Sequence, residues 1–194
     1  MSESWDDSAD NWDINSDVIS YSEMAFESLV KTVNIEGKNI LDFGCGTGLL
    51  TERMSPLAKS IVAIDTSPRM ISVLQSKNLP NVTTLSEPLT PELIDENPAF
   101  IDKFHIIVAS SVFSFLPDYI SILKLLKSTM VTGGSLIQWD WLPPDNDPDF
   151  GLSEITIKRS LDSAGFKHIV LTQAFSLNFE KGNMPVIMGV AKNA

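Results

Sequence analysis

Apolar residues recur at two spacings along the chain, one close to the helical repeat and one in short unbroken runs, and their alternation predicts a series of helices and strands. Over residues 21–33, Met24, Ala25, Leu29 and Val33 fall near helical spacing, and Gly37 follows closely enough to help end a leading helix. Residues 39–43 form a short apolar run before a glycine cluster, and residues 49–58 mix apolar and polar positions as a helix does. Residues 60–65 (SIVAID) read as a second buried strand. Ser67 is placed to cap the next helix, with Pro68 at its first position and Met70, Ile71, Val73 and Leu74 on its apolar face. The alternation continues with a strand at 81–86, a helix start at Thr90-Pro91, a strand at 104–109 and a helix over 117–130. Gly133-Gly134 stops that helix, and a fifth strand runs from 134 or 135 to 141. A helix over 153–164 ends at Gly165, and runs rich in Val, Ile and Phe at 166–174 and 184–191 predict a closing hairpin.

Strands that are nearly continuous in apolar residues, alternating with helices, imply a mainly parallel sheet whose crossover helices bury their stripes against it. The expectation is a doubly wound α/β fold, and a length of 194 residues suits a single domain. Its layout is an acidic segment over 1–23, a leading helix within 24–37 and an α/β core over 38–194. The first 23 residues carry seven acids and no Lys or Arg, interrupted by Trp5, Trp12 and Tyr21, which suits a tail or a lid with aromatic anchors. Residues 143–151 are the one linker-like stretch.

Composition narrows the partners. A net charge of −11 repels polyanions, so nucleic acid is not an expected ligand. Cys45 is the only cysteine, which excludes an intrachain disulfide, and with two separated histidines it makes no zinc site of ordinary spacing. The start of the chain lacks a basic region followed by an apolar run, and the most apolar stretch, around 106–116, is too short to span a bilayer. These features lead to an expectation of a soluble, cytoplasmic, metal-free protein, monomeric or homodimeric. Asp145, Asp147 and Asp149 imitate the start of a calcium loop, but Phe150 stands where that loop needs Gly and Thr156 where it needs Glu. His105, alone at a strand start, is assigned no role.

Chemistry concentrates at residues 40–48, ILDFGCGTG, where glycines at 44, 46 and 48 directly follow the first strand. Backbone without side chains there lets a ligand approach a helix N-terminus closely. Asp65 ends the next strand 21 residues after Gly44, where a carboxylate can accept hydrogen bonds from both hydroxyls of a ribose. A dinucleotide fingerprint would place its third glycine at position 49, but Leu49 occupies it and the glycine is Gly48.

With Asp42, Gly44, Gly46 and Gly48 in the pattern acid-x-Gly-x-Gly-x-Gly, the chain resembles the class I S-adenosylmethionine (SAM)-dependent methyltransferases, in particular their small-molecule branch. IVAIDTSPRMI, VASSVFSFLPD and GGSLI are similar to later segments of that family. The resemblance implies a seven-stranded sheet in the order 3-2-1-4-5-7-6 with the last strand antiparallel. It also implies that Gly44, Cys45 and Gly46 line the methionine part of SAM through backbone, with Gly48 closing the turn and Asp42 near the amino group. Asp65 and the adjoining Thr66 would lie at the ribose, Met70 and Glu87 at the adenine, and Ser110 would offer backbone to the methionine. WDDSADNWD resembles the opening of the small-molecule branch, in which the preceding segment covers the cofactor, and Tyr21 would belong to that cover. The sequence departs from the family at Phe104-His105 and at Ser114-Phe115. Pro143-Pro144 is not the motif of the amino-directed nucleic-acid enzymes.

The activity this implies is in-line methyl transfer from SAM to an O, N or C nucleophile of a small molecule, leaving S-adenosylhomocysteine. Tyr21, Trp139, Asp140 and Trp141 are candidates to face the substrate, because ligands of open sheets bind beyond the carboxyl ends of the strands. Asp140, between two indoles, is a candidate base if one is needed. The alternative is a protein of the same fold that binds SAM without catalysis. A nicotinamide-dependent oxidoreductase fits less well, since the third glycine is displaced and no Tyr-x-x-x-Lys pair is present.

Overall fold

The computed structural model describes residues 5–143, 147, 150–179 and 182–194. Seven strands form one mixed sheet in the order β3-β2-β1-β4-β5-β7-β6, as the resemblance implied. The chain divides into two compact units, Met1–Asp102 and Lys103–Ala194.

The first unit opens with two helices, α1 (Trp5–Trp12) and α2 (Ser16–Thr32). Both differ from the sequence expectation: the acidic segment contains a helix of its own, and the leading helix starts five residues before residue 21. The Asn15 side chain caps α2 by accepting the Asp17 N–H at 2.9 Å, and Asp17 and Lys31 at its two ends complement the helix dipole. Ala9 is the buried residue of α1, and Tyr21, Ser22, Ala25 and Leu29 are those of α2. β1 (Asn39–Phe43) is buried at every position and pairs in parallel with β2 (Ser60–Ile64), which pairs with β3 (Val82–Leu85). A strand with no exposed face has to be apolar at most of its positions, which is why both runs were legible as buried strands, with Asn39 and Asp42 as the polar exceptions in β1. Between them lie α3 (Leu49–Met54), shorter than the expected 49–58, and α4 (Pro68–Ser76), capped by Ser67 with Pro68 in its first turn. α5 (Pro91–Glu96) is capped by Thr90 and completes the unit.

The second unit comprises β4 (Phe104–Ser110), α6 (Tyr119–Ser128), β5 (Met130–Trp141), α7 (Glu154–Ser163), β6 (Lys167–Phe179) and β7 (Gly182–Lys192). α6 begins at its Asp118 cap rather than at Pro117. β5 begins at Met130, ahead of the glycines that were expected to precede it. Its register against β4 jumps from Phe104↔Met130 to Ile106↔Ser135, so residues 131–134 bulge out of the ladder with Gly133 at φ +79°. β7 pairs antiparallel with both β5 and β6. β6 and β7 extend past the expected 166–174 and 184–191, because Ser176 and Asn183 continue the ladder although their polarity hid it. Leu136, Ile137, Trp139, Ile157, Leu161, Phe166, Val186 and Ile187 form this unit's core. Asp145 and Asp149 of the calcium comparison lie outside the described residues. Among the described residues no cluster of side chains could hold a metal ion, and no helix is long and apolar enough to cross a membrane.

Candidate functional site

In the first unit the turn after β1 is shaped by its glycines, with φ of +71° at Gly44, +54° at Gly46 and +80° at Gly48. Those left-handed values need glycine. Gly48 also has no room for a side chain, since a Cβ there would meet Leu74 Cδ1 at 2.3 Å. The N–H groups of Gly44 and Cys45 donate to Ile64 O at 2.8 and 3.1 Å, which ties the turn to the end of β2. Asp65 completes that tie. Its Oδ2 accepts the Gly46 N–H and its Oδ1 the Ser67 N–H, both at 2.9 Å, so one carboxylate holds both the glycine turn and the start of α4.

Asp42 lies beneath this turn, fully buried, with Oδ2 accepting the Thr51 hydroxyl at 2.5 Å. Burial pushes its pKa up to about 7; the Thr51 hydrogen bond opposes the rise and the charge of Asp65 adds to it. Burial likewise pushes the Cys45 thiol well above its ordinary value, with Asp42 and then Asp65 adding to the shift, so Cys45 is not a reactive thiolate. Met70 is buried, and its sulfur lies 4.0 Å from where a Gly46 Cβ would stand.

Helix α1 packs on α4, and its carboxylates meet the residues around the turn. Asp6 accepts from the Ser67 hydroxyl at 2.5 Å and from the Arg69 N–H at 3.3 Å, and these hydrogen bonds hold its carboxyl below the usual range. Asp10 pairs with Arg69 at 2.5 Å. Asp13, just past the helix, accepts from the fully buried Thr47 hydroxyl and pairs with Lys77 at 2.8 Å. The Trp12 indole nitrogen lies 3.9 Å from the Gly46 Cβ position, and Trp5 meets Trp12 edge to face at 5.8 Å. The segment read as a tail or lid is therefore docked beside the glycine turn. Thr66 is exposed between Asp65 and Ser67, Glu87 is exposed two residues past β3, and Tyr21 is buried on α2.

In the second unit Ser110 ends β4, and Ser111 after it adopts φ +57°. Trp139 is fully buried and Trp141 half-buried. Asp140, only 1% exposed, has Oδ2 accepting from Gln138 Nε2 at 2.8 Å, while Gln138 Oε1 accepts the Tyr119 hydroxyl at 2.5 Å. Burial pushes Asp140 up to about 7, against the hydrogen bonds of Gln138 and the Ser114 main chain. Tyr119 is raised by its own burial and then by the charge of Asp140, so it stays a phenol.

The structure thus gathers Asp42, Gly44, Cys45, Gly46, Gly48, Asp65 and Met70 around one turn. Sequence reasoning missed Thr51, Asp6, Asp13, Gln138 and Tyr119. They meet their partners across 2 to 64 positions, and only the Gln138–Asp140 spacing, with both on one face of a strand, was there to be read.

A glycine turn tied to the next strand by a carboxylate, in a sheet of this order, is the arrangement of a doubly wound α/β protein, and its geometry suits a nucleoside-type ligand. The profile of the methyltransferase domain family matches residues 21–178, and the chain belongs to that family. It is 31% identical over 110 residues to an uncharacterized methyltransferase of Schizosaccharomyces pombe, covering 54% of this chain and 39% of that protein. It is 28% identical over 106 residues to a ubiquinone biosynthesis O-methyltransferase of Xanthomonas campestris pv. campestris, covering 54% of this chain and 43% of the relative. The matched segment therefore spans about two fifths of the length of these curated relatives. A SAM-dependent methyltransferase from Aquifex aeolicus shares the fold, with a TM-score of 0.68 at 21% identity over 87% of this chain and 89% of that one.

Proposed function

We propose that the protein transfers a methyl group from SAM to a protic group on a small molecule. The observation that carries this reading is the bridging carboxylate of Asp65. Each of its oxygens accepts one backbone N–H, leaving each a lone pair, and the group is half-buried, so it can accept the two vicinal hydroxyls of a ribose. The surroundings fit such a ligand: Gly46 adds no side chain, Met70 supplies an apolar neighbour, and the turn offers main chain rather than a cluster of basic residues suited to phosphates.

SAM supplies a methyl group already activated by the sulfonium. What remains for the chain is to bind, to align and to exclude water, and alignment alone lowers barriers by about 7–11 kcal/mol in favourable models. Asp65 would hold the ribose, the main chain of residues 44–48 the methionine portion, and Met70 the adenine side. The charge of −11 favours a small acceptor over a polyanion, and the ubiquinone-pathway relative, named as an O-methyltransferase, supports oxygen as the acceptor atom.

Thermal unfolding with SAM, S-adenosylhomocysteine and NAD tests the cofactor. A ligand at a hundredfold excess over its Kd stabilises by about 2.7 kcal/mol, and the two adenosyl ligands are expected to do so where NAD does not. Stabilisation by NAD alone overturns the reading. Transfer of labelled methyl from SAM into a metabolite pool then separates an enzyme from a protein that only binds.

A further inference from the structure

Two exposed phenylalanines of the second unit stand on loops that are fastened to the same strand end. Phe115, 57% exposed, follows Ser114, whose main chain hydrogen-bonds the Asp140 carboxylate. Phe150, 36% exposed, precedes Gly151, which packs so closely on the last residue of β5 that a Cβ there would meet Trp141 O at 2.1 Å. The Leu152 N–H donates to that oxygen at 2.9 Å, and the Ser111 N–H donates to Trp139 O at 2.7 Å. The loops after β4 and β5 are thus both tied to residues 139–141, the carboxyl end of β5. Beneath the first loop Phe113 is 1% exposed and packs on Tyr119 at a centroid distance of 4.7 Å. Ser111 at its start is held at φ +57°, a strained value that persists only where the surroundings enforce it.

The apolar surface continues onto the two helices that start at this edge. Ile120 in the first turn of α6 is 37% exposed and Ile155 in the first turn of α7 is 64% exposed. The described residues of this unit expose five large apolar side chains, and four of them lie here, at the end of the sheet where ligands of α/β folds bind. The charge among them has one sign. Residues 111–120 and 141–157 contain no Lys, Arg or His, while Asp118, Asp147 and Glu154 are exposed there. Hydrogen bonds from Ser121 hold the Asp118 carboxyl below its usual range, and Lys124 farther along α6 adds to this. Lys158 and Arg159 stand more than a turn into α7. The amino ends of α6 and α7 offset about half a charge each, which leaves the three carboxylates in excess.

We propose that this edge binds a small organic cation, an ammonium group carried on an apolar body, with Phe115 and Phe150 taking the cationic group, Ile120 and Ile155 the apolar body, and Asp118, Asp147 and Glu154 supplying the field that admits it. An aromatic face attracts a cation within about 6 Å of the ring centre, and nearby carboxylates of like sign strengthen that preference. An anion meets no side chain of opposite charge in either loop, and an uncharged molecule gains nothing from the carboxylates. Asp140 belongs to the scaffold: Gln138 and the Ser114 main chain take up its carboxylate, and this fixes the turn that carries Phe115. The site lies wholly within the second unit, and the proposal does not rest on the methyl-transfer reading.

The test titrates the full chain by calorimetry with three probes of similar shape: trimethyl-phenethylammonium, its uncharged tert-butyl isostere and phenylbutanoate. The cation is expected to bind about tenfold more tightly than either of the others and to slow hydrogen exchange in residues 113–120 and 150–157. High salt should weaken the cation and leave the isostere unchanged. F115S and F150S alter exposed positions, and each should weaken the cation by about threefold with the Tm of the wild type. D118N keeps the cap of α6, since an amide oxygen also accepts the Ser121 N–H, so it should weaken the cation by about twofold and spare the isostere. This variant and the salt series decide the matter even if a Phe variant fails to fold. Equal affinity for the three probes, no binding of any, exchange slowed only elsewhere, or a D118N loss that is the same for cation and isostere each overturns the proposal. Self-association of the chain that F115S abolishes would give the edge to a second copy and likewise overturns it.

Discussion

Asp65 and Gly48 show how much one residue can fix. Replacing Asp65 by Ala leaves the N–H groups of Gly46 and Ser67 without their acceptor and removes the proposed grip on the ribose. Hydrogen bonds to a charged group are worth about 1.5–3 kcal/mol, so calorimetry should show SAM affinity lower by at least about tenfold. Unchanged affinity would exclude Asp65 from the ligand site. Gly48 makes a different demand. An Ala there meets Leu74 at 2.3 Å and is held at φ +80°, two penalties that together should cost about 1–3 kcal/mol and lower Tm measurably. L74A in the same chain removes the clash but not the strained backbone, so it should restore part of the loss specific to G48A. Both residues were legible in the sequence because their roles follow from position, one at a strand end and one at a helix start. Asp42 was legible only in part: its place at the end of β1 just before the turn followed from the motif, but its burial and its Thr51 partner did not.

At the scale of elements, the strands β1, β2 and β4 were readable because an unbroken apolar run has few other uses, and α4 was readable from its Ser-Pro start. α1 was not. Local composition showed a run of acids without cations, the mark of a solvated segment, whereas their partners Ser67, Arg69, Thr47 and Lys77 lie 34 to 64 positions away in the chain. The ionic contacts of α1 are unequal. The Arg69–Asp10 pair is exposed at both ends, where such bridges contribute about 0–1 kcal/mol, but the Lys77 side chain is 13% exposed and serves both Asp13 and Glu52. Lys77→Met should therefore speed hydrogen exchange of residues 5–12 more than Arg69→Met does. Raising salt should narrow the wild type's protection of α1 toward that of the Lys77 variant, since screening weakens the same contacts. Equal exchange in the two variants would mean that Trp12 and the Asp6–Ser67 hydrogen bond hold the helix without help from charge.

Across the whole molecule, the carboxylates pull stability in opposite directions with pH. Asp42 and Asp140, both raised to about 7 from an ordinary 3.8, bind protons in the folded state that the unfolded chain has released, so folding weakens as pH rises from about 4 to 7. A rise of that size corresponds to about 4 kcal/mol for each carboxyl as an upper bound. Asp6 and Asp118 are lowered by their hydrogen bonds, Asp118 chiefly by those of Ser121. Their contribution is present above the ordinary carboxyl pKa and is lost as pH falls through their folded values. The net charge of −11 at pH 7 adds self-repulsion on the alkaline side. Stability should consequently peak near the acid end of that window, at about pH 4–5. The amide introduced by D140N imitates the protonated acid, keeps the Gln138 hydrogen bond and cannot charge. In urea unfolding, D140N should match the wild type near about pH 4 and exceed it at about pH 8, with a gap that opens from about pH 4 to 7, levels off above that and approaches the bound above only if the buried charge finds no relief. A gap that is the same at both pH values would mean that Asp140 titrates alike in the folded and unfolded chain, and that the strain on its carboxylate is absent.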